Sequence, residues 1–179
     1  MKLTVDRVDY EPKNVAVSID GYVPIDIKIL EPVGLPPFYW RVGDGKKTLL
    51  EMAFLPENGF LSAITLVIID PDSVHKMENS PVRLSGSRVG LPVVNQKLWE
   101  SSGSEDFGSR FIDDFHLGIQ AFTSSNTIML VIGRNPQKIN WIKCSNAFYI
   151  GADDEGNVTN LFLDNLTQEE IKSFFEAVG

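Results

Sequence analysis

Cysteine, histidine and clustered basic residues are all scarce in this 179-residue chain, and each scarcity excludes something. A single cysteine, Cys144, rules out an internal disulfide and suits a reducing compartment. With only His75 and His116 beside it, there is no four-ligand nitrogen and sulfur set for a structural zinc site. Apolar runs such as residues 64–69 fall far short of the ~20 residues of a membrane span. The opening MKLTVDRVDYEPK has no apolar core and no small-residue cleavage site, which predicts a cytoplasmic location. No basic stripe is present, so a nucleic-acid partner is not expected. There is no Walker A loop, no G-x-G-x-x-G and no G-x-S-x-G elbow, and neither cofactor nor metal is expected.

Acidic charge is abundant instead. The net charge is −8, and it is unevenly spread. Residues 1–99 carry 12 acids and 11 bases, whereas residues 100–179 carry 12 acids and 5 bases. An acidic field favours basic partners and also keeps a protein soluble. Hydrophobic residues make up 43% and charged residues 22%, the balance of a globular chain, and the length fits a single domain over 1–179.

The hydropathy pattern is mostly that of strands. Val23, Ile25, Ile27 and Ile29 alternate with Pro24, Asp26 and Lys28, and Pro24 places that strand at an edge or near its own start. Strands are predicted at 2–10, 14–19, 23–29, 38–42, 48–54 and 60–70, and then at 115–122, 127–132, 139–143, 147–150 and 158–163. The segments 64–69 and 127–132 are apolar on both faces, which predicts central positions. In Phe38-Tyr39-Trp40, alternation buries Phe38 and Trp40 and turns Tyr39 outward, or the reverse. The final segment, Leu166-Thr167-Gln168-Glu169-Glu170-Ile171, is a capping box with a hydrophobic staple. It opens a helix whose apolar stripe is Ile171, Phe174, Phe175 and Val178. The expected fold is α+β, mostly β, with antiparallel meander-type sheets and a packed C-terminal helix. Between the two groups of strands, about 71–110 reads as a long Ser/Gly-rich loop with only a short strand near 89–94. Loops of that length are usually functional or disordered.

That loop and the residues after it hold the candidate partner-binding residues Trp99, Glu100, Glu105, Asp106, Asp113 and Asp114. Acids there would steer a basic partner, with Trp99 as a buried anchor. Two other readings stay open. An enzyme site could be assembled from Asp113, Asp114 and His116 at a strand entrance, or the 71–110 loop could dock the protein into a larger assembly. Asp70 and Asp72 with Asp113 and Asp114 would make half an oxygen-ligand site, but without an EF-hand pattern they read as solvated acids. A Cys144–His116 nucleophile pair would need the fold to bring the two together. A buried, inert thiol is the simpler reading.

The segment LLEMAFLPENGFLSAITLVIID, together with the closing NLTQEEIKSFF, resembles the immunity proteins of bacterial polymorphic and contact-dependent growth inhibition toxin systems. The resemblance covers about a third of the chain. It implies a non-enzymatic inhibitor whose partner is one cognate toxin domain. Many such toxins are basic nucleases, which an acidic face would suit.

Overall fold

The computed structural model describes residues 3–10, 14–82, 84, 86–100 and 106–179. Alternating apolar residues and glycine-bearing turns divide the first half into β1 (Val5–Asp9), β2 (Ala16–Ser18), β3 (Ile25–Lys28), β4 (Phe38–Gly43), β5 (Leu49–Phe54) and β6 (Leu61–Ile68). The middle carries β7 (Val74–Lys76), β8 (Arg88–Val89), β9 (Leu91–Val94) and the short helix α1 (Lys97–Glu100). After a 3-10 turn at Phe107–Arg110 come β10 (Phe111–Asp114), β11 (Ile119–Thr123), β12 (Ile128–Ile132), β13 (Asn140–Lys143), β14 (Phe148–Ala152), β15 (Val158–Leu163) and the helix α2 (Gln168–Val178).

The strands form two large sheets and a ribbon. A six-stranded sheet runs β10-β4-β5-β6-β3-β2, a seven-stranded sheet runs β7-β11-β12-β15-β14-β13-β8, and β1 pairs with β9. The first two are called here the β4 sheet and the β12 sheet. Pairing is antiparallel apart from β10 on β4, β7 on β11 and β8 on β13. The fold is therefore α+β and mostly β, as expected. Pro24 sits just before β3, an interior strand between β2 and β6, so it marks a strand start and leaves the ladder intact.

The inner faces of the two sheets share one core. Ile25, Trp40, Leu50 and Ile64 from the β4 sheet join Leu130 and Ile150 from the β12 sheet, and α2 adds Ile171 and Phe174. At the start of α2 the Glu170 N–H donates to Thr167 Oγ1 at 3.1 Å, and the Thr167 N–H donates to Glu170 Oε2 at 2.7 Å. Both arms of the capping box are thus formed.

β12 is buried along its whole length because two clusters enclose it. Ile128, Leu130 and Ile132 face the shared core, while Met129 and Val131 join Trp141, Tyr149 and Phe162 on the outer face. Val82 and Leu84 pack over that outer cluster. The 71–110 stretch, a loop by composition, therefore contains β7, β8, β9 and α1 and also caps an apolar sheet face. Its polar residues hid this because the elements are only two to four residues long. Gly90 separates β8 from β9 at φ +147°, and a Cβ there would stand 2.6 Å from the Asp9 carbonyl oxygen.

The strand expected at 115–122 is shorter. The Leu117 N–H donates to the Asp114 carbonyl at 3.2 Å, making a turn between β10 and β11. At this turn the chain crosses from the β4 sheet to the β12 sheet.

Candidate functional site

Phe111-Ile112-Asp113-Asp114 adds β10 to the edge of the β4 sheet, parallel to β4. Successive side chains on a strand point to opposite faces. Asp113 therefore faces outward, where Arg41 grips it through Nε (2.7 Å) and Nη2 (2.9 Å). These hydrogen bonds, donated by Arg41 to the Asp113 carboxylate, hold the guanidinium above its ordinary pKa. Both side chains keep solvent contact, so the pair contributes little to stability. It does fix a charged surface geometry, because Arg41 also lies 4.6 Å from the centroid of the Phe111 ring. Tyr39 turns outward as well and stacks on Phe111 with ring centroids 4.9 Å apart.

Asp114 points inward. It is 3% exposed and accepts the Trp40 indole N–H at 2.7 Å. His116 stands in the following turn with its side chain largely exposed and its Nε2 4.0 Å from Asp114 Oδ1. A cavity of about 530 Å3 opens beside them, lined in part by Trp40, His116, Arg134 and Thr159. The structure thus brings Asp114 and His116 together and sends Asp113 to the opposite face, so the three acid/base candidates do not converge on one point.

Trp99 lies in the core at 5% exposure. Its ring stacks on Phe38 at 5.2 Å and meets Phe54 at 6.0 Å, while its indole N–H donates to the Tyr39 carbonyl at 3.2 Å. It thereby ties α1 to β4, and α1 packs beside β10. Glu100 closes α1 in solvent, and Asp106, also exposed, opens the 3-10 turn that leads into β10. Glu105 lies outside the described residues. Glu100, Asp106 and Asp113 therefore belong to elements around one sheet edge. The other acids of the second half sit in the β14–β15 turn (Asp153, Asp154, Glu155) and around α2 (Asp164, Glu169, Glu170, Glu176).

The outer face of the β4 sheet also has features that sequence reasoning did not select, among them Arg41, Glu51 and Phe111. Only the signal at Tyr39 was legible, as one of two alternations. Cys144 follows β13 and is half-buried; burial pushes its thiol up to about 12, so it stays protonated at neutral pH. Among the described residues, no group of three or more His, Cys, Asp or Glu is placed to hold a metal ion. No helix among them is long and apolar enough to cross a membrane.

No family model matches the chain. Over 86 residues it is 52% identical to Immunity protein CdiI-1 of Escherichia coli O157:H7 (strain EC869). The match takes in the whole of that protein and 48% of this chain. By its identity over the full length of that relative, the chain belongs to the contact-dependent growth inhibition immunity proteins, the family its hairpin segment and capped helix resemble.

Proposed function

We propose that this protein is a non-enzymatic, cytoplasmic inhibitor that neutralises one cognate bacterial toxin domain by binding it directly. The observation that carries the reading is its 52% identity to an immunity protein over that protein's full length. The charge layout supports a basic toxin domain as partner. Glu100, Asp106 and Asp113 supply carboxylates on elements around the β10 edge. Charges of one sign steer an oppositely charged partner and raise the rate of encounter more than the final affinity. In this reading Trp99 works from beneath, holding α1 and thus Glu100 in place, and Asp114 braces Trp40 under β10.

The test is growth rescue. The toxin domain encoded by the adjacent upstream reading frame is expressed in a bacterial host with and without this protein. Growth restored only when the protein is present supports the reading. Toxicity that persists beside well-expressed, folded protein overturns it.

A further inference from the structure

The two sheets differ in what covers their outer faces. Val82 and Leu84 lie over the apolar cluster of the β12 sheet. The outer face of the β4 sheet keeps partial exposure at Tyr39, Arg41, Glu51, Ala63 and Thr65, and a groove of about 320 Å3 is cut into it.

Strand register makes the groove. Tyr39 pairs with Ala53, Ala53 with Ala63, and Ala63 with Lys28, so two methyl groups lie between two long side chains. The neighbouring row reads Arg41, Glu51, Thr65, Asp26. Most charges in this row are already engaged. Arg41 is held by Asp113. Asp26 accepts the Thr65 hydroxyl at 3.0 Å and has Lys28 Nζ at 4.0 Å. Glu51 is different. Among the described residues it has no hydrogen bond and no ion pair within 4.0 Å, and Arg41 reaches it only through the longer-range Coulomb field. A half-buried carboxylate has given up part of its hydration, and a donor from outside would restore what was lost. Glu31 adds another carboxylate to the lining.

We infer that this groove is the docking surface for an arginine or lysine side chain of the toxin domain. The aliphatic stem lies on Ala53 and Ala63 beside the Tyr39 ring, and the cationic head meets Glu51. Long cationic side chains carry this combination of apolar stem and charged tip, which matches a methyl floor with a carboxylate wall. The Tyr39–Phe111 stack and the exposed Phe107, 5.5 Å from Phe111, supply bordering aromatic surface of the kind enriched at protein interfaces. The assignment rests on the immunity reading above and names the surface and the partner chemistry within it.

The test compares single variants of the full chain for affinity to the purified toxin domain by titration calorimetry. Ala63→Arg fills the groove and adds a positive charge; Glu51→Gln removes only the unpaired charge. Asp154→Lys and Glu169→Lys are charge reversals away from the groove. Urea unfolding checks that each variant is folded, and Glu51→Gln is expected to be about as stable as wild type, because the carboxylate it replaces makes no hydrogen bond or close ion pair among the described residues and only a longer-range attraction to Arg41. The expected result is at least ~30-fold weaker binding for Ala63→Arg, about 10-fold weaker for Glu51→Gln, and changes within ~3-fold for the two controls. If both groove variants, folded, bind within ~3-fold of wild type while wild type binds and protects, the groove assignment is overturned and the immunity reading stands. If wild type itself neither binds nor protects, the immunity reading falls and the groove assignment falls with it.

Discussion

Replacing Trp99 by alanine separates a structural role from a role as surface anchor. The side chain is 5% exposed, packed between Phe38 and Phe54, and bonded to the Tyr39 carbonyl. A buried tryptophan removes ~150–250 Å2 from water. At ~25 cal/mol per Å2 this is roughly 4–6 kcal/mol before alanine's own share and local collapse are deducted. The hydrogen bond to Tyr39 adds about 1 kcal/mol. Large-to-small changes at buried aromatics cost about 3–5 kcal/mol, which brackets the expected value near 4 kcal/mol. For a chain of this length that lowers the melting temperature by roughly 8–16 °C. Trp99→Phe keeps the stack on Phe38, loses the N–H donor, and is expected to cost only about 1–2 kcal/mol. Urea unfolding followed by far-UV circular dichroism gives both numbers. A Trp99→Ala protein with an unchanged unfolding midpoint and lost toxin binding would refute this placement and make Trp99 a contact residue.

Four further outcomes are expected. Asp114→Ala leaves the Trp40 indole N–H buried without its acceptor and should cost about 1–3 kcal/mol by urea unfolding, with Asp114→Asn costing less. Thr167→Ala removes the N-cap of α2 and should cost about 1 kcal/mol in the same assay; no loss would mean the capping box is not formed in solution. The folded pKa of Cys144, raised to about 12 from an ordinary 9.0, means that the native state keeps a proton the unfolded chain gives up. This contribution to stability is present below pH 9 and lost as pH rises toward 12, and mass spectrometry should show the thiol refusing iodoacetamide at neutral pH until denaturant is added. Finally, stopped-flow association with the toxin domain should slow at least ~10-fold from low to high salt, and a salt-independent rate would contradict electrostatic steering.

What was legible in the sequence is what local chemistry decides. The capping box of α2 lies within Thr167 and Glu170, so four consecutive residues suffice to read it. β12 could be placed centrally because its five residues are apolar on both sides. The turn between the strands predicted at 147–150 and 158–163 is likewise local, with Asp153 Oδ1 accepting the N–H groups of Glu155 and Asn157. What stayed hidden depends on distant partners. β10 is four residues long and exists because Phe111 to Asp114 find β4 about 70 positions earlier in the chain. The Arg41–Asp113 pair and the Trp40–Asp114 bond depend on that pairing, so the opposite roles of two adjacent aspartates could not be assigned beforehand. Trp99 looked available because its surroundings are polar, yet its ring contacts come from Phe38 and Phe54. Glu51 gave no signal of its own. Its interest arises from register, which sets it beside two alanines in a groove.

The central claim is neutralisation by direct binding, and the most direct measurement is physical association of the purified partners. The protein and the toxin domain of the adjacent reading frame are mixed at equal concentration and run on size exclusion with light scattering. A single species containing one copy or a fixed ratio of each chain, formed while toxin activity disappears, is the expected result. Separate elution of the two chains under conditions where the protein still protects cells would contradict direct binding and leave protection to another mechanism.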